Sequence, residues 1–206
     1  MDKLRNFEWN RQLFHVFLGI TIVVLLTHGI IGKNVAPFKI FDADILALII
    51  FGFLLSYICK KIRIPFIYNL LEIFERKEDI LKFPGRGIIF YFIGIYTSLL
   101  LFPKDIAMAS IMVLALGDSV SHLYGLHFGK IRHPLSKTKF LEGTIAGFAA
   151  GFFGALIFIP LTEALIASLA AMIVEAIEIK IGTQQVDDNL IVPLVAGAVI
   201  WMVRLV

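Results

Sequence analysis

Charge is scarce in this chain: Asp, Glu, Lys and Arg make up 17% of its 206 residues, against 59% hydrophobic residues and a mean hydropathy of +0.88. So few polar groups cannot cover the surface of a soluble domain, which excludes a soluble globular protein and implies a membrane protein. Cysteine is nearly absent as well. The lone Cys59 excludes an internal disulfide framework and a thiolate metal cluster, and reads as a small apolar filler. The first apolar run, beginning near Leu13, lacks a small-residue cleavage site and is expected to be a retained span. No internal repeat is present; an inverted one would have pointed to a transporter. With a net charge of only +3, the basic residues matter through their placement, and no nucleic-acid partner is expected.

What the chain does have is apolar runs near the ~20 residues that hydrocarbon requires. They fall at roughly 12–31, 42–59, 86–102, 105–127, 142–160, 161–179 and 188–205. The expected fold is therefore all-α: a polytopic membrane helical bundle of about seven transmembrane helices, a single domain over 1–206. With seven spans, 15 of the 19 Lys and Arg residues lie on the side of the N-terminus; Lys33, Lys39, Lys104 and Arg204 lie on the other. That bias sets the N-terminus in the cytoplasm. In the long connection from Lys60 to Arg86, Ile67, Leu70, Leu71, Ile73, Phe74 and Ile80 keep an approximate helical spacing. It predicts a cytoplasmic amphipathic helix lying at the membrane interface.

Polar residues interrupt the apolar runs in a pattern. On the fourth span, Asp118, Ser121, His122, Gly125 and Gly129 share one helical face. Lipid tolerates an acid there only with a partner, a metal or a charged substrate beside it. A basic turn follows, with Lys130, Arg132, Lys137 and Lys139, and then a helix start at Glu142-Gly143-Thr144. Free N–H groups and the positive end of the helix dipole make that start a ready anion site, and the nearby lysines suit a polyphosphate. Alternatively, the loop obeys the positive-inside rule and contacts lipid headgroups. It is not a P-loop, because the glycine spacing after Gly125 is wrong and no Ser or Thr follows Lys130. Gly143, Gly147 and Gly151 form a small-xxx-small ridge open to another helix, and left exposed it would permit a homodimer.

Further acids gather at the ends of the last spans. Glu175 and Glu178 close the sixth, on the face of Ala164, Ala167, Ser168 and Ala171, and Asp187-Asp188-Asn189 precede the seventh. Hard oxygen ligands on one membrane face are what Mg2+ requires; Asp187 and Asp188 also suit a helix cap and first turn. Glu8, Arg11, Gln12 and His15 stand at the entrance to the first span. All these groups fall on the cytoplasmic side, with Asp118 about 10–15 Å below it. One polar pocket in that leaflet is expected.

Taken together, the stretches Glu8-x2-Arg11-x3-His15, Gly85-Arg86-Gly87, Gly117-Asp118-x6-Gly125-x3-Gly129-Lys130, Lys137-Thr138-x3-Glu142-Gly143-Thr144 and Asp188-Asn189-x3-Pro193 resemble the polyprenol kinase family: dolichol kinase, phytol kinase and CTP-dependent diacylglycerol kinase. Gln12 departs from the pattern, standing where the family usually has a second basic residue. The resemblance implies a CTP-dependent kinase of a membrane lipid alcohol, with Mg2+ as cofactor and its active site at the cytoplasmic face of the cell membrane, or of the endoplasmic reticulum in a eukaryote. It implies Asp118, Arg11 and His15 as catalytic residues, with Asp118 either base or metal ligand. Lys130, Lys137, Thr138, Lys139, Gly125, Gly129 and Gly143 would bind nucleotide. Glu142, Asp187 and Asp188 would hold the metal. Phosphatidate cytidylyltransferases share a Lys-Thr-x-x-Glu-Gly-like element, but their Pro-Gly-His-Gly-Gly run and Asp-Arg pair are absent here. A cytidylyltransferase and an ion or lipid transporter remain the alternatives.

Overall fold

The structure is a computed structural model, and it describes residues 2–31, 43–75, 77–177, 179–181 and 184–205. Glu178, Lys33 and Lys39 lie outside the described residues. The chain is built from α1 (Asp2–Thr27), α2 (Ala43–Lys61), α3 (Pro65–Phe74), α4 (Lys77–Lys82), α5 (Arg86–Leu101), α6 (Lys104–Met112), α7 (Ser119–Phe128), α8 (Leu141–Ala155), α9 (Leu161–Ala176) and α10 (Asp188–Arg204). A two-residue β-ladder between Lys180–Ile181 and Gln184–Gln185 is a small departure from the all-α expectation.

Phe7–Thr27, Ala43–Lys61 and Lys104–Phe128 are each long and apolar enough to cross a membrane. The expected spans at 86–102, 142–160, 161–179 and 188–205 fall on α5, α8, α9 and α10. These helices, at 16, 15, 16 and 17 residues, are shorter than a standard span. Apolar side chains point both ways. Tyr91, Ile95, Ile106, Ile111, Leu114, Met172, Val192 and Ile200 fill the core, whereas Phe17, Phe51, Phe153 and Met202 stand outward. Water would not tolerate such an outer surface; lipid does.

Three local features place the polar residues. First, α6 and α7 are joined by a π-helical stretch, Val113–Asp118. A π-turn shifts the register of all that follows, and here it ends on Asp118. Second, Gly117, Ser121 and Gly125 mesh with Gly143 and Gly147. A Cβ on Gly147 would stand 2.6 Å from the Gly117 carbonyl oxygen, and one on Gly143 would stand 2.5 Å from that of Ser121. The glycine ridge of α8 is thus buried against a helix of its own chain rather than left exposed for a second copy. Third, Pro193 lies inside α10 and cannot bond the Asn189 carbonyl one turn back. That carbonyl lies against Gly94 of α5, where any Cβ would overlap it.

The expected interfacial helix is two short ones. Glu75 is extended (φ −124°), and it ends α3 by donating its N–H to the Leu71 carbonyl at 2.7 Å. Its carboxylate turns to the backbone N–H groups of Gly85 and Gly87.

Candidate active site

Four segments meet at one end of the bundle: the start of α7, the hairpin 129–140, the last turn of α9 and the first turn of α10. The hairpin folds back through an Arg132–Phe140 bridge, with the His133 N–H donating to the Lys139 carbonyl and the Leu141 N–H to that of Ile131. This turn swings Lys139 beneath the loop. Its ammonium donates to Glu175 Oε1 at 2.7 Å, to Asp188 Oδ2 at 3.0 Å and to the Glu175 carbonyl. Ser121 Oγ approaches Glu175 Oε2 at 3.5 Å. Asp118 completes the group: one oxygen each from Asp118, Glu175 and Asp188 lie within 4.8 Å of one another. Glu175 is buried, while Asp118 and Asp188 are half-buried.

Burial works against the Lys139 charge, but Glu175 and Asp188 outweigh it and hold its ionisation above the ordinary lysine value. Three carboxyl groups thus meet around one ammonium and present several hard oxygen donors together. Hard oxygen donors at this spacing are the set Mg2+ takes, so the residues present fit the cofactor the sequence implied. A divalent cation, a phosphate chain and a hydroxyl are what such a cluster can order.

Of the residues expected to act together, Asp118, Lys139 and Asp188 share this cluster. Glu142 lies apart on the outer side of the hairpin, accepting from the backbone N–H groups of Lys130 (3.1 Å) and Ile131 (3.0 Å). Asp187 caps α10, accepting from the Asn189 N–H at 3.2 Å, and sits 3.5 Å from the Arg86 guanidinium. Burial raises its pKa, and these partners oppose the rise. Lys130, Lys137 and Thr138 are exposed on the hairpin. Ser136 Oγ ties the tip by accepting from the Thr138 and Lys139 N–H groups, both at 3.1 Å. Gly125 and Gly143 face each other across the α7–α8 contact, and a Cβ on Gly129 would overlap the Phe140 ring.

Arg11 and His15 line a separate small cavity with Phe74, Glu75, Asp79 and Gly87. Arg11 is held by Glu8 (2.9 Å), which also meets His122 at 3.1 Å, one turn from Asp118. The His15 carbonyl accepts from the Tyr91 hydroxyl at 2.9 Å, while its buried Nδ1 has no hydrogen-bond partner among the described residues. Gln12 is 1% exposed, which accounts for an uncharged residue there.

Sequence reasoning named Glu175 among the oxygen ligands but left it out of the metal set. Its signal was the face it shares with Ala164, Ala167, Ser168 and Ala171, all wholly buried. The bonding of Glu75 was missed altogether.

The fold and cluster define a helical membrane-type protein with an acidic cluster at one end. An uncharacterised protein of Methanocaldococcus jannaschii is 31% identical over 198 residues, covering 94% of this chain and 92% of its own. CTP-dependent diacylglycerol kinase 1 of Schizosaccharomyces pombe is 26% identical over 218 residues, covering 97% and 94%. Phytol kinase 1 of Arabidopsis thaliana is 29% identical over 136 residues, covering 58% and 42%. The chain belongs to the polyprenol kinase family, with the CTP-dependent diacylglycerol kinases and the phytol kinases. It spans about half the length of the budding-yeast diacylglycerol kinase and less of the plant phytol kinase. No protein-family model matches it. No solved structure matches it either.

Proposed function

We propose that the protein is a CTP-dependent lipid-alcohol kinase, moving the γ-phosphate of CTP to the hydroxyl of a long-chain isoprenoid alcohol of the dolichol or polyprenol type. The observation that carries the reading is the convergence of Asp118, Glu175 and Asp188 on Lys139 where α7, α9 and α10 meet. Phosphoryl transfer asks for positioning and charge neutralisation more than covalent chemistry. The names of the relatives support CTP as donor and a lipid as acceptor.

Glu175 and Asp188 would hold Mg2+, which would supply charge neutralisation along the phosphates, and Asp118 stands beside them as the base. Lys139 keeps the three carboxylates together, and the exposed Lys130 and Lys137 draw the triphosphate to the hairpin. The acceptor oxygen attacks the γ-phosphorus and forms the new O–P bond. The bond to the β–γ bridging oxygen breaks, CDP leaves with that electron pair, and Asp118 takes the hydroxyl proton. In this reading α1, α2, α5, the α6–α7 span, α8, α9 and α10 cross the bilayer. The Lys and Arg bias puts the N-terminus and the site at the cytoplasmic face.

The test is purified protein in detergent with γ-labelled CTP or ATP, Mg2+ and a panel of dolichol, a shorter polyprenol, phytol and diacylglycerol. Label moving from CTP to an isoprenoid alcohol with CDP left behind is expected. Pyrophosphate release with cytidine entering the lipid would make the protein a cytidylyltransferase, and no transfer to any alcohol would end the kinase reading.

A further inference from the structure

Glu75 lies outside the carboxylate cluster, yet its bonds lead there. It is 5% exposed, and its two oxygens accept from the N–H groups of Gly85 (2.7 Å) and Gly87 (3.1 Å). These groups stand at the start of α5, where no intrahelical acceptor exists. Gly85 adopts φ +81°, a conformation that favours glycine and aims its N–H at Glu75. From the same turn two contacts cross to α10. The Arg86 guanidinium stands 3.5 Å from Asp187, and the Asn189 side-chain amide donates to the Gly87 carbonyl at 3.4 Å. Asp187 and Asn189 flank Asp188, whose carboxylate meets Lys139.

We infer that Glu75 is a positioning residue: by clamping the first turn of α5, it holds Arg86 and the Gly87 carbonyl against α10 and so sets where the Asp188 carboxylate stands. Its consequence for turnover rests on the kinase reading; the clamp itself does not. Arg11 and Asp79 share the cavity beside Glu75, but Arg11 is engaged by Glu8.

Two variants grade the clamp. Glu75→Gln keeps one acceptor, and Glu75→Met fills the space with none. Per folded molecule, kcat for γ-label transfer falls in that order, by about tenfold or more for Glu75→Met. KM for CTP stays within about twofold, because the lysines of the hairpin are untouched. Amide hydrogen exchange at residues 189–191 speeds up by about tenfold in Glu75→Met and stays unchanged in a Lys82→Gln control on α4. Unaltered exchange at 189–191, or a kcat per folded molecule equal to wild type, overturns the inference. If wild-type protein transfers no label, the kinase reading falls, and the exchange measurement alone decides the clamp.

Discussion

Lys139 and Arg204 hold comparable posts at opposite ends of the same helices. Each is a cation between two carboxylates, Lys139 with Glu175 and Asp188, and Arg204 with Asp105 (2.7 Å) and Glu163 (2.9 Å). Along α9, positions 163 and 175 are about 18 Å apart, so the clusters mark the two faces of the bundle. The difference lies in balance and burial. Lys139 has a third carboxylate in reach, Asp118, and a partner, Glu175, only 3% exposed; Asp105 is 43% exposed. A planar guanidinium also saturates two carboxylates geometrically, whereas an ammonium is a point charge. One cluster is a staple between helix ends. The other is overcharged with acid, which is a reason to bind something.

The sharpest break of that comparison is at Asp118. Asp118→Asn is expected to leave the fold intact and to lower γ-label transfer by about 10³-fold or more. Near-normal turnover would remove Asp118 from the mechanism and make the two clusters alike. Next comes Lys139→Met, which leaves buried carboxylates uncompensated. It is expected to cost about 3–5 kcal/mol in thermal unfolding in detergent. A loss as small as that of an exposed pair would contradict the burial argument.

Glu75 sharpens the contrast through pH. Burial raises its pKa from 4.5 to about 7, against the pull of the Gly85 and Gly87 N–H groups. A carboxyl favoured in its protonated form by the folded state adds stability that is fully present below about pH 4.5 and lost as pH rises through about 7. That share is up to roughly 3 kcal/mol. Unfolding measured across this window should flatten in Glu75→Gln; an unchanged slope would assign the pH dependence to other groups. The smallest effect is expected at Arg204→Gln: under about 1 kcal/mol of stability and transfer within twofold of wild type. A large activity loss there would show that the second cluster is more than a staple.

Much of the framework was legible because apolar run length and small-residue spacing are local properties. The runs fell on helices, though α1 begins ten residues before its expected start, and Gly143, Gly147 and Gly151 announced a close helix contact. Asp118 stood out because an acid in an apolar run has few explanations. Its partners were harder to read. Glu142 and Asp187 look like ligands by their neighbours in sequence, but each satisfies nearby backbone N–H groups. Glu175 looked like one acid among several at a helix end, and its burial depends on what packs around α9. The break between α3 and α4 was hidden too, because the apolar spacing continues across it while the partner of the Glu75 carboxylate lies ten residues further on.

Composition and periodicity by themselves determined that this chain is of membrane type, roughly which stretches are helical, and that acids and lysines lie toward one end. Those follow from transfer free energies and backbone geometry, which act residue by residue. Which three carboxylates meet, that Lys139 rather than the exposed lysines balances them, and that Glu75 braces α5 were decided by the packing of α5, α7, α9 and α10. The π-turn before α7 and the Gly94 crossing set the rotation and depth of those helices, and a carboxylate's partners depend on both to within an ångström or two.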